Sequence, residues 1–256
     1  MKLFKERMKA GNPLVGTIVS MGLPMVSEMI SRCGFDWLWI DMEHAPLSLN
    51  EVQGLLQSKA ESCAGFVRVP FNDEVWIKRV LDLGADGIIV PQVKTASEAS
   101  RAVAAAKYPP VGIRSVGLSR ANSFGMNFAG YGDTANQDTL VFLQVEHKEA
   151  VDNIDAILGV PGIDAIIIGP YDLSGSFGKL GQIQDPEVQA AMSTVLSACK
   201  KQAVPVGIFT MLPEQGRECV ERGYQLVATG VDSHFLWTAA KKAVQIVADS
   251  AVAAKV

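Results

Sequence analysis

Eight times along the chain a short apolar run rich in valine, isoleucine and leucine is followed by a segment of helical periodicity, and this alternation constrains the fold more than any other feature. A parallel neighbour can be reached only through a crossover, which a helix supplies, so alternating β and α segments build a parallel sheet. The runs lie at 13–20, 37–46, 65–70, 87–93, 139–146, 163–169, 205–210 and 225–230. Continuous apolar character, as in Trp37-Leu-Trp-Ile40, fits strands buried on both faces. The helices are expected at 24–33, 49–61, 73–83, 95–107, 149–158, 186–202, in the stretch ending at 222, and at 235–254, after a short amphipathic one within 1–11. Ser48 is placed to cap one of them, while Gly34, Gly84 and Gly223 stop three others. Eight such units in 256 residues, with no domain boundary or low-complexity stretch, predict an α/β protein, a (β/α)8 TIM barrel occupying residues 1–256 as one domain. One segment breaks the rhythm: Tyr108 to Asp138 holds five glycines and two prolines, and its Phe124, Phe128 and Tyr131 suggest a packed, functional loop.

Composition excludes several classes of function. A net charge of −4 with no basic run argues against nucleic acid as a partner. The mean hydropathy of +0.20 reflects a large core, because no stretch approaches the length of a membrane span. The N-terminus lacks the apolar centre of a signal peptide, and a cytoplasmic protein is expected. Cys33, Cys63, Cys199 and Cys219 are too scattered for a zinc motif or a disulfide framework and are expected as buried helical thiols.

In a parallel barrel the ligand site lies at the carboxyl ends of the strands, where the βα loops converge. There the chain places Asp41, Glu43 and His44 after the second run, Arg68 at the end of the third, Gln92 after the fourth, Gln144 and Glu146 on the fifth, and Asp172 after the sixth. Glu146 and Asp172 are one βα repeat apart and so stand on neighbouring strand ends. Either each is salt-bridged or capping a helix, or the two share a cation, and all-oxygen donors with open positions suit Mg²⁺ or Mn²⁺. The Gly169-Pro-Tyr-Asp172 turn is either ordinary or presents the N–H groups of Tyr171 and Asp172 to a substrate carboxylate. Arg68 interrupts an apolar run, so a carboxylate of the chain or an anionic ligand must face it. His44 is a loop histidine or, in this company, a general base, with Asp41 and Glu43 in support. His147 and His234 are expected at exposed helix starts, and Trp37 and Trp39 in the core. No strand end supplies a lysine for Schiff-base chemistry, and neither a hydrolase triad nor a phosphate loop is present.

Five motifs carry a resemblance. Asp41-Met-Glu-His-Ala-Pro46, Val67-Arg-Val-Pro70, Tyr108-Pro-Pro-Val-Gly-Ile-Arg-Ser-Val-Gly117, Gln144-Val-Glu146 and Gly169-Pro-Tyr-Asp-Leu-Ser174 are similar in order and spacing to the class II pyruvate aldolases of the HpcH/HpaI family, over about residues 4–247. The likeness is nearest to the branch acting on 2-dehydro-3-deoxyglucarate and 4-hydroxy-2-oxo-heptanedioate. It implies reversible, metal-dependent cleavage of 2-oxo-4-hydroxy acids to pyruvate and an aldehyde, with Mg²⁺, Mn²⁺ or Co²⁺. Carried over by motif, Glu146 and Asp172 hold the metal, Arg68 contacts the 2-oxo group, His44 is the base, Gln144 holds a ligand or water, and Tyr171 and Asp172 bind substrate. Asp82 matches an acid that pairs with the base, across a subunit boundary, in a homohexamer whose last helix packs on a neighbour. Arg120 is matched more loosely to the aldehyde side. Tyr171 departs from the small residue usual there, as does the aldehyde side at Ile18 to Met21 and Phe209 to Met211. Two other functions are open to such a chain: a thioester lyase acting on malyl- or citramalyl-coenzyme A, and a non-catalytic barrel that only binds.

Overall fold

The computed structural model describes residues 2–253, so Met1 and the end of the expected last helix at Ala254 lie outside the described residues. Eight parallel strands close on themselves in sequence order: β1 Leu14–Val19, β2 Trp37–Asp41, β3 Ala64–Arg68, β4 Gly87–Val90, β5 Leu140–Val145, β6 Ala165–Ile168, β7 Val206–Thr210 and β8 Leu226–Val231. Each expected strand is present. The helices are α1 Lys2–Lys9, α2 Pro24–Ser31, α3 Leu49–Ser58, α4 Glu74–Asp82, α5 Ala96–Ala106, α6 Phe128–Asp138, α7 Lys148–Asp152, α8 Ile154–Leu158, α9 Pro170–Ser176, α10 Pro186–Lys201, α11 Pro213–Arg222 and α12 Asp232–Ala253.

Two cores follow from the period of two along each strand. Leu14, Trp37, Trp39, Phe66, Phe142 and Ile167 fill the barrel, and α1 closes its base with Phe4 and Met8. Alternate residues such as Leu38, Ile40, Val67 and Ile168 point outward into the layer shared with the helices. Gly16 has no side chain because Trp37 occupies the space: a Cβ would stand 2.3 Å from the indole. Local signals set the helix starts. Ser48 and Glu51 form a capping box on α3, and Thr95 and Glu98 form another on α5. Gly223 ends α11 in the left-handed region with φ 95°.

The irregular segment corrects the sequence reading. It contains a 3-10 turn at 120–125 and the helix α6, which its glycines and lack of an apolar stripe conceal. Phe124 and Phe128 are exposed rather than packed, and among the described residues Tyr131 alone of the three meets a ring, edge-on to Tyr108. The segment joins α5 to the start of β5, so it lies at the amino-terminal rim of the barrel, opposite the strand ends that carry the polar set. The expected 149–158 helix is split into α7 and α8, and α9 begins where a simple turn was expected. The thiols also differ from expectation: Cys199 and Cys219 are buried in helices, but Cys33 is exposed in a turn and Cys63 is buried at a bend. Among the described residues no helix is long and apolar enough to cross a membrane.

Candidate active site

The inward series of each strand becomes polar at its carboxyl end. On β2 the sequence Trp37, Trp39, Asp41 points into the barrel, on β3 Ala64, Phe66, Arg68, and on β5 Leu140, Phe142, Gln144, with Glu146 next. Asp41 and Arg68 are register partners on adjacent strands. The parity that buries the aromatic rings therefore delivers the charged layer above them.

Arg68 is the centre of that layer and is only 6% exposed. Its Nε donates to Asp41 Oδ1 at 2.9 Å and its Nη2 to Asp41 Oδ2 at 2.7 Å, a bidentate pair that fixes the guanidinium plane. Nη1 lies 2.9 Å from Glu43 Oε2 and donates to Gln144 Oε1 at 3.4 Å, while the guanidinium carbon stands 5.0 Å from the Trp39 ring centroid. Burial opposes the charge on Arg68, but the hydrogen bonds to Asp41 and the charges of Asp41, Glu43 and Glu146 outweigh it and raise the pKa. The expected choice between ion pair and ligand contact thus resolves in part: Arg68 has carboxylate partners of its own, and it still faces the cleft.

Asp41 also accepts the N–H groups of Glu43 at 3.0 Å and His44 at 3.3 Å, which shapes the loop after β2. His44 is held at the lip with its side chain 65% exposed and Nε2 3.7 Å from Glu43 Oε2. Burial raises the Glu43 pKa against the lowering effect of Arg68 and His44, with Asp41 and Asp172 raising it further.

Glu146 lies deeper, 2% exposed. Its Oε1 accepts the Gln92 N–H at 2.8 Å, and its Oε2 accepts from Gln144 Nε2. Burial pushes its carboxyl up to about 7; the Gln92 bond and Arg68 oppose the shift, while Glu43 and Asp172 reinforce it. Gly169 makes room for this pair, since a Cβ there would stand 2.7 Å from Glu146 Oε2 and 2.9 Å from Gln144 Nε2. Asp172, in the first turn of α9 with Gly169 as its N-cap, is exposed beside the same opening. A cleft of about 180 Å³ brings together His44, Arg68, Gln144, Tyr171 and Asp172 between Trp39 and Phe209.

Among the described residues no three His, Cys, Asp or Glu side chains cluster as a closed metal cage. Two oxygen donors suit Mg²⁺ or Mn²⁺ nonetheless, because such ions keep water or substrate on their other positions. Burial, with Glu43 and Asp172, favours the neutral carboxyl at Glu146, a tendency that a divalent cation held there would relieve. The residue chemistry therefore fits a divalent ion.

Asp82 is the exception. It ends α4, which descends from the rim, so it sits at the opposite end of the barrel from His44 and pairs there with Arg114 Nη2 at 2.7 Å. Arg120 is at the same end, donating to the Leu83 carbonyl at 2.7 Å. Neither joins His44 within one chain. His147 caps α7 through Nδ1, and His234 stands in the first turn of α12; both are half-buried. Three contributions were missed from sequence. Gln92 adopts φ 55° and offers its backbone N–H, Trp39 underlies the guanidinium, and Asp232 binds the loop after β1 through Ser20 N, Ser20 Oγ and Met21 N at 3.0, 2.6 and 2.9 Å. Only Asp232, an acid directly after a strand, left a legible signal.

Known proteins resemble this chain in sequence and in fold. A family model described as HpcH/HpaI aldolase/citrate lyase matches residues 19–239. The chain is 39% identical over 239 residues to the hydroxypyruvate/pyruvate aldolase of Sagittula stellata, covering 93% of this chain and 94% of that one. It is 37% identical over 241 residues to the 5-keto-4-deoxy-D-glucarate aldolase of Klebsiella pneumoniae, with coverage of 93% and 94%. The crystal structure of an HpcH/HpaI aldolase/citrate lyase family protein from Burkholderia cenocepacia superposes with a TM-score of 0.93 at 37% identity, over 96% of this chain and 99% of that one. Likeness of this extent, in sequence and in barrel alike, makes the chain a member of the HpcH/HpaI aldolase/citrate lyase family and a carbon–carbon lyase.

Proposed function

We propose that the chain is a metal-dependent aldolase that cleaves 2-oxo-4-hydroxy acids to pyruvate and an aldehyde and catalyses the reverse addition. The observation that carries this reading is the Arg68 guanidinium, locked by Asp41, in one cleft with His44, Gln144 and Asp172, while the buried Glu146 carboxylate accepts a hydrogen bond from Gln144 of that cleft. The names of the relatives from Sagittula stellata and Klebsiella pneumoniae support it.

Glu146 and Asp172 are the residues that would hold a divalent cation, Mg²⁺ or Mn²⁺ first. When bound, that ion supplies Lewis acidity toward the 2-oxo acid. Arg68 presents Nη1 to the 2-oxo oxygen, and its long bond to Gln144 is the contact a substrate oxygen most easily replaces. As the C3–C4 bond breaks, its electron pair passes into the enolate of pyruvate, and Arg68 stabilises the charge that gathers on that oxygen. His44 Nε2 takes the proton of the 4-hydroxyl, which frees the aldehyde. A proton returned to C3 completes pyruvate. The N–H groups of Tyr171 and Asp172 lie in the first turn of α9, where no helical carbonyl claims them, and are assigned to the substrate carboxylate.

The same reading has the chain acting as one barrel domain within an oligomer, a hexamer by family likeness, in which Asp82 reaches the histidine of a neighbouring subunit. Free cysteines throughout suit a reducing compartment, the cytoplasm. The decisive experiment couples pyruvate release to lactate dehydrogenase across a panel of 2-oxo-4-hydroxy acids. Chelation is expected to abolish release and Mg²⁺ or Mn²⁺ to restore it. Full activity in excess chelator overturns the metal assignment, and no release from any member of the panel overturns the aldolase reading.

A further inference from the structure

The guanidinium and the imidazole of the cleft converge on a single carboxylate oxygen that no hydrogen bond claims. Glu43 Oε2 lies 2.9 Å from Arg68 Nη1 and 3.7 Å from His44 Nε2. It is buried and has no hydrogen-bond partner among the described residues, so its contact with Arg68 is an ion pair without hydrogen-bond geometry. None of the cleavage steps uses this carboxylate.

Local structure explains its place. The ladder of β2 runs on to Met42, whose N–H donates to the Arg68 carbonyl at 3.0 Å and whose side chain enters the outer core. Alternation then turns Glu43 back toward the guanidinium. Asp41 Oδ1, itself fixed to Arg68 Nε, accepts the N–H groups of Glu43 and His44. One aspartate thus sets the guanidinium and the backbone of both following residues. Because Oε2 is closed to solvent and Glu43 does not line the 180 Å³ cleft, it can act on the reaction only through a neighbouring side chain.

A base must be neutral to accept a proton, and at 3.7 Å a neutral imidazole is beyond a hydrogen bond from Oε2. Once Nε2 has taken the 4-hydroxyl proton, it is a charged donor facing an oxygen with unused lone pairs. The attraction is stronger after the transfer than before it, which is the condition for lowering the barrier. Arg68 and a protonated His44 both favour the ionised form of Glu43, against its burial. Among the described residues no other carboxylate is ion-paired with His44. We propose that Glu43 is a positioning residue that stabilises the imidazolium of His44 during cleavage and, through the same oxygen, holds the base at a fixed distance from Arg68. The inference rests on the aldolase reading, in which His44 is the base, and it leaves Nδ1 for the Asp82 contact proposed across the subunit boundary.

The test compares two reactions that share one enolate. Cleavage of a 2-oxo-4-hydroxy acid, the fastest of the panel, needs a base for the 4-hydroxyl. Decarboxylation of oxaloacetate breaks the bond from C3 to the carboxylate, releases CO2 and leaves the enolate of pyruvate with no hydroxyl proton to remove. Glu43→Gln is expected to lower kcat for cleavage about tenfold, the value of a charge-assisted hydrogen bond, with KM within about twofold and decarboxylation within about threefold. Should that variant fail to fold, Glu43→Asp, which withdraws the oxygen by one methylene, carries the same comparison. Unchanged cleavage, or equal loss in both reactions, overturns the assignment and leaves the aldolase reading standing, because Glu43 would then act through Arg68 or the fold alone. If oxaloacetate does not react, Glu43→Gln is combined with His44→Ala: a further loss in cleavage of less than about twofold supports the assignment, and a further tenfold loss overturns it. If no acid of the panel is cleaved, or His44→Ala cleaves as fast as the unmodified enzyme, the reading of the base falls and this inference with it.

Discussion

At the scale of single residues the site is held by groups that cannot be removed without leaving a charge behind. Arg68→Ala would strand Asp41 and Glu43 as unpaired buried carboxylates, which costs about 3–5 kcal/mol, so loss of activity there would be confounded with loss of fold. Arg68→Lys keeps the charge but loses the bidentate fork, and is expected to lower kcat about 10²-fold or more with a near-native melting curve. A change of less than fivefold would make Arg68 purely structural. Gly169→Ala gives a sharper test, because its Cβ intrudes on Glu146 and Gln144 without straining a backbone at φ −100°. Titration calorimetry with Mn²⁺ is expected to show affinity about tenfold weaker or more, as for other disturbed supports of a ligand; unchanged affinity would separate Glu146 from the metal. The residues of this layer were legible one by one, since each is a polar group closing an apolar run. The Gln92 contribution was not, because it comes from a backbone N–H in a left-handed conformation that no side-chain pattern announces.

At the scale of elements the strands were read correctly because burial on both faces gives an unbroken apolar run, and most helices because caps and glycines punctuate them. Ser48→Ala removes one half of the α3 capping box and is expected to cost about 1 kcal/mol, a fall of about 3 °C in Tm, with activity unchanged. Asp232 works harder: it anchors the loop after β1 to the end of β8 by three contacts to residues 20 and 21, so Asp232→Ala is expected to lower Tm by about 5 °C or more. A loss no larger than that of Ser48→Ala would show the loop to be held elsewhere. The helix α6 escaped detection because Gly130 and Gly132 weaken its propensity and only Ala135 within it is buried.

At the scale of the whole molecule, two helices expose apolar side chains among the described residues. Leu236, Val244 and Val247 of α12 are exposed, as are Met25 and Met29 of α2. Exposed apolar surface of this kind is what the proposed oligomer would cover. Sedimentation velocity is expected to give a hexamer, and Val244→Glu with Val247→Glu a smaller species with less activity, since Asp82 can meet His44 only across a boundary. A fully active monomer would overturn both the assembly and the role of Asp82.

The sequence by itself determined the closed run of eight βα units and the rim on which the polar residues gather, because both follow from local periodicity and from the single hand and order that parallel crossovers permit. Which of those residues meet was decided only by the tertiary structure. Arg68 chooses Asp41 through strand register, Glu146 is set by a backbone donor from the neighbouring strand end, and Asp82 is carried to the far rim by a descending helix. These are contacts between distant segments, fixed by strand pairing and barrel closure, and no local pattern encodes them.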